Sequence, residues 1–300
     1  MNQASYDTSG DSTLSRQPTL ITHLLDSVVS EKRFQVANQQ RVELEARLED
    51  GFGLFALIDP VELSRVVSNL LNNALEAIEG DGKVTLGLKG TSDTISITLQ
   101  DNGKGIPGHI LERIREKRLT NGKEGSNSGS GLGLYHAKST IEVAGGSLKV
   151  ESQLGHGTRV TISLPRATIP VWFAERIEIP PKATVVSVDD DESIHHLWKE
   201  RFTHSHLKQA AARLLCFDST QKVESWLTNF QPEDVIFLVD YEFLGQTKSG
   251  LDFIENLGSG RKAVLVTSRF DEPKLRDRAK RLGIRILPKT LAPYVPISFC

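Results

Sequence analysis

Two α/β domains in tandem are what this chain predicts, an α+β sandwich followed by a doubly wound parallel sheet. Three observations carry that expectation. The 300 residues fit two domains at about 100–200 residues each. Residues 165–182 contain four prolines and no periodicity, which marks a break. Strands and helices are mixed before the break and alternate strictly after it, and strict alternation implies a parallel sheet.

The elements follow in order. Residues 1–18 are Ser/Thr/Asp/Gln-rich and read as a flexible leader. From Leu20 the apolar positions 20, 21, 24, 25, 28 and 29 recur at helical spacing. Val42, Leu44, Ala46 and Leu48 alternate as in a strand. Asp59-Pro60-Val61-Glu62 is a helix start, with Asp as cap and Pro in the first turn. That helix is expected to turn Leu63, Val66, Val67, Leu70, Leu71, Ala74 and Ile78 inward and to stop at Gly80. Strands are expected over 83–89, 94–100, 147–151 and 159–164, with a helix over 132–144. The first domain thus spans 19–166, and 167–182 reads as a linker whose Val171, Trp172 and Phe173 pack on a neighbour. Beyond it, 183–300 shows strands at 184–188, 214–217, 235–239, 263–267 and 285–287, with helices between them.

Composition narrows the class. With 38% hydrophobic and 25% charged residues the chain can build two cores and is neither disordered nor collagenous. It contains no run of 18 apolar residues and no signal-like start, so no membrane segment is expected. Two cysteines make no disulfide framework, which points to the cytoplasm. A net charge of −2 argues against nucleic acid as a partner.

Three segments of the first domain stand out together. One is the helix from Arg65 to Ala74, carrying Asn69 and Asn73 on one face. The second is Asp101-Asn102-Gly103-Lys104-Gly105-Ile106, directly after a strand. The third is Gly129-Ser130-Gly131-Leu132-Gly133-Leu134, opening a helix. With the turn Gly155-His156-Gly157-Thr158, they resemble the histidine-kinase branch of the ATPase superfamily shared with DNA gyrase, Hsp90 and MutL, over residues 51–166.

That resemblance implies a Bergerat-type sandwich binding ATP and Mg²⁺. Asn73 would complete the Mg²⁺ shell through its carbonyl oxygen, a ligand type that suits a hard cation shared with phosphates. Asn69 would meet phosphate or a bound water, and Asp101 the adenine amine. Gly103 and Gly105 are expected to supply positive φ beside the base. Gly129, Gly131 and Gly133 would bring backbone amides to the phosphates. Ile106, Leu132, Leu134 and Thr158 complete the expected contacts. Residues 106–128 resemble the ATP lid, with Thr120 in it. Lys123 there is a candidate γ-phosphate contact or a solvated loop charge. The lid's usual Phe position is Leu119. Hydrolases of the superfamily place a Glu four residues before the Mg²⁺ Asn. Here that position is Asn69, so phosphoryl transfer fits better than hydrolysis.

In the second domain Asp189, Asp190 and Asp191 follow the first strand, Asp240 ends the third, Thr267 the fourth, and Lys289 follows the fifth. Ligands of doubly wound sheets bind at the carboxyl ends of strands, so these residues converge. Carboxylates that close repel unless a cation neutralises them. The set resembles the flavodoxin-like (βα)5 receiver domain of response regulators over 183–290. The resemblance makes Asp240 the phosphoacceptor, Asp189, Asp190 and Asp240 the Mg²⁺ ligands, and Thr267 and Lys289 the phosphoryl contacts. Ile286 stands at the usual aromatic switch position and Thr290 at the usual Pro. Residues 291–300 are too short for a full final helix. Ten Lys/Arg against three acids over 261–289 read as a solvated face, or as a dock for an acidic partner involving Arg276, Lys280 and Arg281.

None of the eight histidines has the context of a kinase acceptor; His23, for example, is followed by Leu24-Leu25-Asp26. The expected function is therefore two-component phosphorelay, with the acceptor histidine on a partner, or on a dimerisation or phosphotransfer domain of a longer chain. A homodimer through the Leu20–Val29 helix is a further option. The rival reading is a non-catalytic, ATP-binding scaffold or sequestering regulator that senses phosphorylation.

Overall fold

The structure, a computed structural model, describes residues 16–36, 42–116, 131–204, 212–230, 234–258 and 261–299. Two compact units result, Met1–Thr168 and Ile169–Cys300. No helix among the described residues is long and apolar enough to cross a membrane.

The first unit runs β1 (Gln17–Leu20), α1 (Ile21–Val36), β2 (Val42–Arg47), β3 (Phe55–Ile58), α2 (Pro60–Glu76), β4 (Gly82–Gly90), β5 (Thr94–Asp101), α3 (Gly108–Glu116), α4 (Gly131–Val143), β6 (Ser147–Ser152) and β7 (Thr158–Pro165). Its main sheet has the order β2-β4-β5-β7-β6, antiparallel except for β2 beside β4. Helix α2 starts where the sequence calls for it. The Asp59 carboxylate accepts from Val61 N at 2.9 Å and Glu62 N at 3.2 Å, and Pro60 needs no partner there. Its apolar stripe buries Leu63, Val66, Val67, Leu70, Leu71 and Ala74. These close with Leu25 and Val29 of α1 and Ala137 and Ile141 of α4 over Leu86, Ile97 and Ile162 of the sheet. Burying each large side chain contributes about 1.5–3 kcal/mol.

Three expectations need correction in this unit, and some others fall outside the described residues. The leader reading overlaps β1, which pairs antiparallel with β3, a strand the sequence reading lacked. Helix α2 ends at Glu76 with Ala77 as cap, so Ile78 packs from the following turn. Part of the expected lid is helix α3, and it carries His109, read as a loop residue. Thr120, Lys123, Leu119 and Gly129 lie outside the described residues.

The second unit runs β8 (Ile177–Ile179), β9 (Thr184–Val188), α5 (Glu192–His204), β10 (Arg213–Phe217), α6 (Thr220–Asn229), β11 (Val235–Val239), α7 (Gly250–Asn256), β12 (Lys262–Thr267), α8 (Pro273–Arg281), β13 (Arg285–Pro288) and β14 (Ile297–Phe299). Its five-stranded sheet has the order β10-β9-β11-β12-β13, all parallel. This is the doubly wound sheet expected, with the topological switch beside β9. The central strand β11 is buried along its whole length, as a strand covered on both faces must be.

The segment expected as a linker is part of this unit. Strand β8 pairs parallel with β14, so Ile297–Phe299 form a strand. Phe173 is fully buried and bridges to Ile286 on the edge of β13. Ala174 N donates to Ile286 O at 2.9 Å, and Ile286 N to Trp172 O at 2.7 Å. Trp172 stacks on Phe270 at 6.0 Å, under the Arg276 guanidinium at 4.3 Å. Val171, by contrast, is 73% exposed. Arg276 is thus half-buried and engaged, not the open docking charge the sequence offered.

Candidate functional sites

In the first unit, a cavity of about 480 Å³ opens between α2, the end of β5 and α4. Its walls are mostly apolar, with Leu70, Ala74, Leu99, Ile106, Leu134, Val150 and Val160. Asn73, Glu76, Asp101, Lys104 and Thr158 supply the polar edge. Size and lining match a small-molecule site, where a few polar groups orient a mostly buried ligand.

Asp101 closes strand β5, and the strand's alternation buries it. Its Oδ1 accepts from Gly103 N at 2.9 Å and from Thr158 N at 3.2 Å. Burial pushes this carboxyl above the ordinary range, against the pull of those two N–H donors. The turn after it is laced down on both sides. Lys104 N donates to Ala77 O at 2.9 Å, Gly155 N to Lys104 O at 2.8 Å, and Ile106 N to Ser152 Oγ at 2.8 Å. Of the two glycines expected to have positive φ, only Gly105 does, at +69°. Gly103 is required by proximity instead, since a Cβ there would lie 2.4 Å from Ala77 O.

The structure brings Asn73, Asp101, Gly105, Ile106, Leu134 and Thr158 to the cavity wall. Asn69 sits one turn before Asn73 on α2 and is not in that wall. Gly131, Leu132 and Gly133 form the first turn of α4, where backbone N–H groups lack helical acceptors and favour an anion. Lys104 and Ser152 were missed. Lys104 stands inside the quoted motif, but Ser152 carries no local signal and is identified only by its partners.

In the second unit the parallel sheet delivers five side chains to one edge. Asp189 and Asp190 follow β9, Asp240 follows β11, Thr267 ends β12 and Lys289 follows β13. The carboxylate oxygens of Asp189, Asp190 and Asp240 lie within 4.8 Å of one another. The Lys289 ammonium sits 2.9 Å from Asp189 Oδ2 and 2.7 Å from Asp240 Oδ2. Asp240 is pushed up to about 6, chiefly by burial and further by the Asp189 charge, while Lys289 and Tyr241 N hold it down. Burial also raises Asp189. For Lys289 burial works the other way, but the two carboxylates prevail and hold its pKa above the usual lysine range.

Backbone donors fix the geometry. Leu244 N donates to Asp190 Oδ2 at 2.8 Å, Asp191 N to Asp189 Oδ1 at 2.9 Å, and Tyr241 N to Asp240 Oδ1 at 2.6 Å. Thr267 Oγ1, nearly buried, accepts from Arg269 N at 3.1 Å. The donor set fits a hard divalent cation: three carboxylates whose oxygens lie together at one edge of the sheet. All five residues expected from the sequence are on this edge.

Residues 58–168 match the family model described as "Histidine kinase-, DNA gyrase B-, and HSP90-like ATPase". The alginate biosynthesis sensor protein KinB of Pseudomonas aeruginosa is 36% identical over 126 residues, 42% of this chain and 21% of KinB. The sensor histidine kinase RppB of Synechocystis is 34% identical over 149 residues, 49% of this chain and 33% of RppB. The chain therefore spans a third or less of the length of these relatives. Among solved structures, the mycobacterial sensor histidine kinase MprB aligns at 25% identity and a TM-score of 0.40, over 50% of this chain and 97% of that one.

Proposed function

We propose, from the histidine-kinase-type ATPase domain that residues 58–168 form, that this chain works in two-component phosphorelay, moving the γ-phosphoryl of ATP to a histidine. The observation that carries the reading is Asp101. A buried carboxylate at the mouth of an apolar cavity is a strong acceptor for an exocyclic amine, and its two backbone donors fix its direction. Asn73, on the cavity wall, would hold Mg²⁺ together with the ATP phosphates, and the cation would neutralise phosphate charge. The first turn of α4 would meet the phosphates from the other side. Asn69, where a hydrolase would have Glu, provides no base to activate water, so the phosphoryl group awaits another acceptor.

That acceptor is a histidine on a partner chain or on a dimerisation domain of a longer chain. Transfer breaks the bond between the γ-phosphorus and its bridging oxygen, forms a phosphorus–nitrogen bond and releases ADP. The second unit acts as a receiver. The phosphorus–nitrogen bond breaks, a bond forms to an Asp240 oxygen, and the histidine recovers its neutral form. Asp189 and Asp190 with Asp240 would hold a second Mg²⁺, while Lys289 and Thr267 take up the phosphoryl oxygens. The second reading, a nucleotide-binding scaffold without transfer, draws on the histidines. Among the described residues, buried His195 and Glu62-paired His136 are structural rather than acceptors.

Incubation with γ-labelled ATP and Mg²⁺, with a histidine-bearing dimerisation domain supplied in trans, tests the reading. Acid-labile label on that domain and base-labile label on this chain are expected, both lost in Asn73→Ala and the second alone lost in Asp240→Ala. ATP binding that Asp101→Ala abolishes, without any label, would leave the scaffold.

A further inference from the structure

An open sheet leaves a row of backbone groups unpaired at each edge, and proteins guard such edges with charges, prolines, bulges or covering segments. Three of the four edges of the two five-stranded sheets are guarded. Strand β2 carries Glu43, Glu45 and Arg47, with Lys83 paired to both glutamates. Strand β6 carries the exposed Lys149–Glu151 pair. Strand β13 is covered by the Phe173 bridge and the backbone bonds of Trp172 and Ala174.

The fourth edge is β10, Arg213-Leu214-Leu215-Cys216-Phe217. It has one charge, at its first residue, and no proline, and no strand among the described residues covers it. Its register with β9 runs unbroken from Arg213 to Phe217, so no bulge turns it aside. Leu214 to Phe217 are apolar and partly exposed. The apolar surface continues onto α6, where Phe217 meets Trp226 at 5.8 Å and Trp226 stacks on the 63% exposed Phe230 at 6.5 Å.

The hydrogen bonds to β9 fix which backbone groups face outward. Arg213 N donates to Ala183 O and Asp189 N to Phe217 O, both at 3.0 Å. Arg213, Leu215 and Phe217 thus turn their amides and carbonyls to β9, and Leu214 and Cys216 turn theirs to the open edge. An added antiparallel strand must set outward residue against outward residue, each such pair exchanging two hydrogen bonds. A second β10, related by a two-fold axis through Leu215, meets that condition in full. Leu214 then opposes Cys216 of the second copy, and Cys216 opposes its Leu214, which makes four hydrogen bonds. The side chains suit the same register. Arg213 falls opposite Phe217 of the second copy at both ends of the pair, where a guanidinium can lie over the ring.

We propose that β10 is a homodimerisation edge, on which two copies pair antiparallel about Leu215 into one continuous ten-stranded sheet. Helix α1 offers no such face, since Ile21, Leu24, Leu25, Val28 and Val29 are buried in the core of their own unit.

Sedimentation velocity of the full chain over a concentration series tests this, with a dimer expected for wild type. Cys216→Pro deletes an outward N–H and leaves the β9 ladder intact, a change that edge strands tolerate. It removes two of the four bonds and should raise the dimer Kd at least about tenfold. Cross-linking reads the register. In a Cys216→Ser, Cys300→Ser background, Leu215→Cys should give a covalent dimer with oxidised glutathione. Its two sulfurs would sit on a non-hydrogen-bonded pair with Cα atoms about 4.5 Å apart, within disulfide reach. Leu214→Cys, about 7–8 Å from its own counterpart, should not cross-link. Monomeric wild type, cross-linking at 214 in place of 215, or a dimer that Cys216→Pro leaves unchanged each overturns the inference. If Cys216→Pro does not fold, the two cysteine variants decide alone.

Discussion

Replacing the proposed phosphoacceptor should make the protein more stable, not less, and by an amount set by pH. Asp240 is 7% exposed. Burial, ahead of every other influence, takes its carboxyl from 3.8 to about 6. At 1.36 kcal/mol per pH unit, ionising it costs about 3 kcal/mol more in the folded protein than in the unfolded chain. The sign follows from proton counting. Between 3.8 and about 6 the folded state holds the proton more tightly, so stability from this group is present below 3.8 and lost as pH rises through about 6. The amide of Asp240→Asn has the shape of the neutral acid and escapes that loss. The variant should match wild type at pH 3.5 and exceed it by about 3 kcal/mol at pH 7, in EDTA. All three tryptophans, Trp172, Trp198 and Trp226, belong to the second unit, so urea unfolding followed by their fluorescence reports the relevant transition. With urea slopes of about 1–3 kcal/mol/M, the midpoint at pH 7 should rise by about 1–3 M. A variant equal to or weaker than wild type at pH 7, or a gain that does not change with pH, refutes the reasoning. Added Mg²⁺ should stabilise wild type more than the variant, because only wild type offers all three carboxylates.

Three further outcomes are expected. Gly157→Ala places a Cβ 2.1 Å from Asp101 O at a φ of +86°, so it should abolish ATP-analogue binding in calorimetry; retained affinity would show that this turn does not shape the site. Asp59→Ala removes two N-cap hydrogen bonds from α2 and should cost about 1 kcal/mol in urea unfolding followed by far-UV circular dichroism. Phe173→Ala, in the stretch that looks like a linker, should cost about 3–5 kcal/mol in the tryptophan-detected transition, whereas a true linker would tolerate it.

What was legible in the sequence depended on how local its cause was. Helix α2 was readable because Asp59, Pro60 and the apolar stripe act within a few turns of one another. Asp101 and the acidic edge were readable because each residue stands at a strand end next to its own motif. The pair β8 and β14 was hidden, since each strand has three residues and its partner lies more than 100 positions away. The prolines at 180 and 181 mimic a linker but stand just outside the strand they follow. Strand β3 was hidden for a similar reason: Phe55-Ala56-Leu57-Ile58 is a short apolar run without alternation, and only pairing with β1 defines it. Ser152 was invisible, because a serine ending a strand has no signature until its partners are known.

The attachment of Trp172 and Ala174 to Ile286 also fixes where tension would be felt. Any pull along the chain from residue 168 reaches the second unit first at these backbone bonds. The bridge is parallel, so a pull along the segment loads the bonds in shear, side by side, rather than peeling them one at a time. The load falls on β13, and three residues after Ile286 that strand hands over to Lys289, the ammonium between Asp189 and Asp240. Mechanical strain at the junction would thus arrive at the ammonium that pairs the two carboxylates of the acidic edge.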